Sequence, residues 1–294
     1  MKRYIIACGG ISTQITEWGE PDRPVIFCLH GLGGTSLSFI ELADALQDTY
    51  RIVSIDAPGH GKTEPFPDER DYQFARFSDW LNQLFDQIGI QDFYFLSHSW
   101  GSFIALFYQK EQPDRVLGSI LIDGGYQSKR LRGTPLEQES AFYDTDFEES
   151  VATWEEFRDV AVYGPNMRRS PLLDLAGKDF VRMQDGRYYW HARAKTARAI
   201  LTAMYQDEIL DFLDDVPGGN LVLLRATLPV SDEPFRQEAI ALWQEKTGGT
   251  FISVPSTSHI AHWDDPAFVL QVIQEHWTRT LAVDENSRFN YVKD

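Results

Sequence analysis

The stretch "FLSHSWGS" (residues 95–102) decides how the chain is read. An apolar run leads into Ser97, small residues stand two before and two after Ser99, and a helix-like run with Phe103, Leu106 and Phe107 follows, stopping before Pro113. Ser97 and Gly101 are the residue types that a sharp strand-to-helix turn requires. Such a turn lifts the central hydroxyl clear of the sheet edge, and the N–H of the next residue, Trp100, points into the same space at the positive end of the helix. Ser99 is therefore a candidate nucleophile. The plainer reading is a polar residue between a strand and a helix, and the usual G-x-S-x-G form has glycine where Ser97 stands.

Outward from this turn, eight short apolar runs are bounded by turn residues: "KRYIIA", "TQITEW", "PVIFCLH", "RIVSID", "DFYFLS", "LGSILID", "NLVLLRA" and "TFISVP". From the third onward they alternate with helix-like segments, which predicts an α/β fold with a mostly parallel eight-stranded sheet and crossover helices on both faces. The stretch 72–88 carries Phe74, Phe77, Leu81, Leu84, Phe85 and Ile88 on one face at helical spacing, with Gly89 just past its end.

The alternation breaks over residues 126–210, too long for a structureless loop in a compact domain. Large aromatics crowd this stretch, and "ATWEEFRDVAVY" and "ARAKTARAILTAMYQ" show helical spacing. The expected organisation is a core of residues 1–125 and 211–294 with a helical lid inserted at 126–210. The tail "DENSRFNYVKD" reads as polar and frayed.

The 294 residues include 44 acidic and 27 basic side chains, a net charge of −17 that disfavours nucleic acid and anionic membrane surfaces as partners. No apolar run approaches the ~20 residues needed to cross a bilayer, and none near the start suits a signal peptide. Cys8 and Cys28 read as small buried residues rather than a disulfide. A cytoplasmic protein with a small-molecule substrate is expected, and a homo-oligomer is compatible with these features.

Three other segments fall where chemistry at Ser99 needs them. "HGLGG" (30–34) directly follows the third strand; its glycines Gly31 and Gly33 let the loop fold back, so the N–H of Leu32 can join that of Trp100 in binding an oxyanion. His30 in this loop has a structural reading beside the functional one. "DAPGHGKT" (56–63) reads as a tight structural loop, with His60 packed inside it. "VPSTSHIAHWDDP" (254–266) places His259 after the last strand as the candidate base, with His262 reading as loop packing.

In this order, "HGLGG", "DAPGHG", "SHSWG", an insertion after the sixth strand and "SHIAHWDDP", the chain resembles the α/β-hydrolase family over nearly its whole length. The resemblance implies serine-hydrolase chemistry without naming a substrate. Serine rather than aspartate at position 99 speaks against the dehalogenase and epoxide-hydrolase branches. The acid is where this chain departs from the family's pattern: in "LLRATLPVSDEPF" Ala226 replaces the usual glycine and Asp232 comes late, behind Pro229. Asp232 is the expected acid and Asp123, in "LIDGG", the alternative. The leading expectation is hydrolysis of a small, largely apolar carboxylic ester, thioester or lactone by Ser99, His259 and an aspartate. A proline-iminopeptidase-like aminopeptidase, a cofactor-free oxygenase (favoured if Asp123 is the acid) and a non-catalytic ligand-binding protein are the alternatives. No cofactor is implied, and no metal, since no HExxH-like spacing occurs.

Overall fold

The structure, a computed structural model, describes residues 1–164 and 168–278. The tail expected to fray lies outside the described residues. The eight apolar runs form eight strands of one sheet: β1 (Lys2–Cys8), β2 (Ile11–Trp18), β3 (Val25–Leu29), β4 (Arg51–Ile55), β5 (Phe93–His98), β6 (Val116–Ile122), β10 (Leu221–Ala226) and β11 (Thr250–Val254). Their spatial order is β1-β2-β4-β3-β5-β6-β10-β11. β1 and β2 are antiparallel, as are β2 and β4, and every later pairing is parallel.

The central strands are apolar almost without interruption because both of their faces are covered. Phe27, Leu29, Phe95, Leu121 and Leu223 point into one core, and the residues between them, Ile26, Cys28, Leu96, Ile120 and Leu224, into the other. Helix Phe74–Ile88 closes the first face with Phe74, Phe77, Leu81, Leu84 and Phe85, and ends at Gly89 with φ 71°. Ile40–Leu46 and Pro266–Ile273 close the second. Each of these buried Phe or Leu side chains contributes about 1.5–3 kcal/mol. This double packing makes the C-terminal ends of β3, β5, β6 and β10 a rigid floor for a site. Cys8 and Cys28 are both free and buried, and no helix among the described residues is long and apolar enough to cross a membrane.

Between β6 and β10 the chain leaves the sheet. Both segments of helical spacing are helical, Trp154–Phe157 running on into a π-helical Arg158–Tyr163 and Ala194–Gln206, and Leu136–Asp146 is a further helix that the spacing did not mark. The stretch is not helical throughout, however: β7 (Ser150–Val151), β8 (Val181–Gln184) and β9 (Arg187–Trp190) make a second, antiparallel sheet in the order β7-β9-β8. The signal for it is "QDGR". Asp185 and Gly186 both adopt positive φ, 51° and 72°, the two-residue turn that joins a tight hairpin. Tyr188, Tyr189 and Trp190 are thus strand residues. The insertion is anchored to the core by ion pairs Arg3–Asp179 and Arg168–Glu41 and by the Phe74 N–H donating to Asp207 Oδ2 at 2.8 Å.

Candidate active site

Ser99 sits between β5 and helix Trp100–Glu111 at φ 51° and ψ −123°, a backbone conformation costly for a side chain with a Cβ and held only by its surroundings. Its N–H donates to the Ile122 carbonyl at 3.0 Å. A Cβ on Gly101 would come within 2.4 Å of the Leu29 carbonyl oxygen, and one on Gly124 within 2.1 Å of that of Ser99, so bare backbone is required on both sides of the turn. Ser97, where a glycine is usual, is fully buried, and its hydroxyl donates to Ser102 Oγ at 3.1 Å. The helix begins at Trp100, two residues earlier than its apolar spacing predicts. As its first residue, Trp100 keeps an N–H with no intrahelical acceptor.

His259, on the loop after β11, lies with Nε2 2.8 Å from Ser99 Oγ and Nδ1 2.7 Å from Asp123 Oδ2. The aspartate expected there, Asp232, is elsewhere. It ends a 3-10 turn, Val230–Asp232, is 43% exposed and faces Arg236 at 3.9 Å. The intervening residues carry it outward: Thr227 and Leu228 donate their N–H groups to the Thr257 carbonyl at 3.1 and 2.9 Å, which turns the chain away from the histidine. Asp123 instead follows β6 immediately, adopts φ 42° and donates its N–H to Leu224 at 2.7 Å. Its side chain is 3% exposed, and its second oxygen accepts from the Ala226 N–H and the Tyr126 hydroxyl, both at 3.0 Å. Burial alone would push this carboxyl up. The hydrogen bond and charge of His259, with the two other donors, outweigh it and hold Asp123 below its ordinary value. An ionised carboxylate on Nδ1 fixes that nitrogen as the proton carrier and leaves Nε2 free to accept from the serine.

The other expected residues surround this line of contacts. Leu32 and Trp100 border the same cavity as Ser99, a space of about 790 Å³ between the sheet edge and the insertion. Gly31 packs at the Ser99 turn, where a Cβ would lie 2.7 Å from that of Ser99. His30 is fully buried: Nδ1 donates to the Gly31 carbonyl at 2.7 Å and Nε2 accepts from the Ala57 N–H at 2.9 Å. Burial pushes its pKa down to about 3, so it holds the loop as a neutral ring. The Gly33 carbonyl accepts from two residues of the insertion, Trp190 Nε1 at 2.9 Å and His191 Nε2 at 3.1 Å, while His191 Nδ1 accepts from the Gly61 N–H at 2.9 Å. His60 and His262 are buried and packed; His262 stacks on Phe39 at 5.3 Å.

Two neighbours of the site carry no sequence signal. His98 is buried and donates from Nε2 to the backbone carbonyl of His259 at 2.8 Å; burial holds its pKa well below the ordinary value, so it braces the loop uncharged. Tyr126 fixes Asp123, and nothing in the spacing of the two residues announces it. Among the described residues no group of three or more His, Cys, Asp or Glu side chains could hold a metal ion.

The geometry has counterparts in known proteins. Residues 24–266 match the family model described as the alpha/beta hydrolase fold, and the chain belongs to that family. It is 27% identical over 271 residues to a 2-succinyl-6-hydroxy-2,4-cyclohexadiene-1-carboxylate synthase of Enterobacter sp. (strain 638), covering 86% of this chain and 92% of that protein. It is 32% identical over 126 residues to a haloalkane dehalogenase of Mycolicibacterium paratuberculosis, a match spanning 42% of this chain and only 40% of that protein. The solved structure of E-2-(acetamidomethylene)succinate hydrolase superposes with a TM-score of 0.74 at 18% identity, covering 94% of this chain and 98% of that one, a likeness of fold.

Proposed function

We propose that the protein is a serine hydrolase that cleaves a small, largely apolar carboxylic ester, thioester or lactone. The observation that carries this reading is the continuous contact from Asp123 through His259 to Ser99, at 2.7 and 2.8 Å. Ser99 Oγ attacks the substrate carbonyl as its proton passes to His259 Nε2. The N–H groups of Leu32 and Trp100 bind the oxyanion that develops, in a cavity where such donors act at low dielectric. The histidine returns its proton to the leaving group, and an acyl ester remains on Ser99. Water then attacks this ester, giving its proton to Nε2, and serine is regained as the acid departs. Asp123 orients the ring and stabilises its charged form throughout. Residues 126–210 serve as the lid over the substrate cavity. Two free, buried cysteines suit a reducing cytoplasm.

Active-site labelling tests the reading. A fluorophosphonate should add once, at Ser99, and the adduct should vanish in Ser99→Ala; an adduct that persists there, or none in the parent, refutes the nucleophile. The acid's place at the end of β6 favours one second reading, a cofactor-free oxygenase. Oxygen uptake with a heteroaromatic substrate, in the absence of ester turnover, would select it.

A further inference from the structure

The charged side chains bordering the cavity have answered one another almost completely. Lys129 Nζ pairs with Glu139 Oε1 at 2.5 Å, and the other Glu139 oxygen accepts from Tyr205 at 2.8 Å. Arg236 donates to the Leu228 and Pro229 carbonyls at 2.6 and 2.8 Å and faces Asp232. Asp123 is held by His259, Tyr126 and Ala226. Arg132 is the exception. It borders the cavity, its guanidinium lies 4.2 Å from the Phe235 ring centroid, and among the described residues no carboxylate pairs with it. Other described cations, such as Lys62 and Arg193, also lack a carboxylate, but of these only Arg132 borders this cavity.

A second donor stands near it. Tyr143 also borders the cavity, and its hydroxyl makes no hydrogen bond among the described residues. Burial first, then Glu139 and Asp146, pushes its pKa up to about 12 while Arg132 pulls the other way, so it remains a protonated donor within reach of the arginine's field. Both residues belong to the insertion, whereas Ser99 belongs to the sheet. Apolar Phe103, Leu201 and Met204 also border the cavity.

From this we infer that the substrate carries a free carboxylate, bound by Arg132 and Tyr143 at the insertion side while its acyl carbonyl lies at Ser99. The inference rests on the hydrolase reading for the second half of that statement only. The substrate class is then a monoester or thioester of a dicarboxylic acid with an apolar spacer. A carboxylate fits better than a phosphate monoester, because a dianion would require a second uncommitted cation and Lys129 and Arg236 are both engaged.

Binding separates this inference from the reading beneath it. In Ser99→Ala, which cannot turn over, calorimetry should show monomethyl esters of adipate and its neighbours in chain length binding about tenfold tighter than the matching dimethyl esters. Arg132→Gln should erase that preference, Arg132→Lys should keep part of it, and Tyr143→Phe should weaken it. Equal binding of mono- and dimethyl esters, or a preference that survives Arg132→Gln, overturns the carboxylate site. With Ser99 intact, the ratio of kcat/KM for p-nitrophenyl hemiadipate over the hexanoate should favour the hemiester and collapse about tenfold in Arg132→Gln. If neither ester turns over while the binding preference holds, the hydrolase reading fails and the carboxylate site stands.

Discussion

The loops that leave β6 and β10 start side by side on neighbouring parallel strands, and each offers an aspartate. In the first, Asp123 follows the last strand residue directly and its carboxylate is buried against His259. In the second, Asp232 comes six positions after Ala226 and ends half-exposed beside Arg236. The difference lies in how each backbone is tied. Asp123 is pinned by its own N–H to Leu224, so its side chain projects from the rigid floor. The second loop spends its hydrogen bonds on Thr257 and a 3-10 turn, which carry Asp232 away. Proximity to a strand end matters more than membership of a particular strand.

The sharpest way to break this comparison is to amidate each carboxylate in turn. Asp123→Asn should lower kcat by roughly 10⁴-fold, since an amide favours the wrong tautomer of His259 with little change of shape. Asp232→Asn should stay within about threefold, as expected of a half-exposed side chain whose contacts are the Ser231 hydroxyl at 3.3 Å and Arg236 at 3.9 Å. Steady-state kinetics on any turned-over ester, with circular dichroism to verify folding, would decide it; collapse on the second substitution alone reverses the assignment.

A smaller effect should come from the residue that holds the first carboxylate. Tyr126→Phe deletes one hydrogen bond to Asp123 and leaves the Ala226 N–H in place. A loss of about 1 kcal/mol in transition-state stabilisation, some five- to tenfold in kcat, is expected. An unchanged kcat would mean that Asp123 is sufficiently fixed by the backbone.

The smallest effect is in stability and depends on pH. Asp123 is held below its ordinary value when folded, so its ionised form stabilises the fold at neutral pH, and that contribution fades as pH falls through the folded value. Urea unfolding of the parent and Asp123→Asn should therefore converge as the solution is acidified. The parent and Asp232→Asn should differ by less than about 0.5 kcal/mol throughout. A gap that widens in acid would contradict the ionised state assigned to Asp123.

Much of the fold is legible before any coordinates because local patterns and tertiary demands agree. Continuous apolar runs become strands covered on both faces, and the 72–88 spacing becomes a helix that begins at Phe74 and is capped by Gly89. The approach of Ser99 to His259 is legible too, since Ser99 directly follows β5 and His259 lies on the loop after β11, at the same end of the parallel sheet. The choice of aspartate is not, because it depends on which N–H groups Thr257 and Leu224 accept, and these contacts join residues far apart in sequence. The β8–β9 hairpin was within reach: Asp185–Gly186 is a strong turn pair, masked by the density of aromatics after it. His98, Tyr126 and Arg132 had no such marker. Their significance comes from a carbonyl, a carboxylate and a missing partner that only folding brings near.

The two bonds from Trp190 and His191 to the Gly33 carbonyl bear on how such a chain can be re-engineered. They make the insertion a structural support of the very loop that carries Leu32, so it is no interchangeable cassette. A donor insertion grafted at the ends of β6 and β10 would have to bring its own indole and imidazole to the same carbonyl, or leave that oxygen to water and the loop loose. Libraries meant to shift selectivity should therefore vary the walls of the cavity while keeping positions 190 and 191 constant.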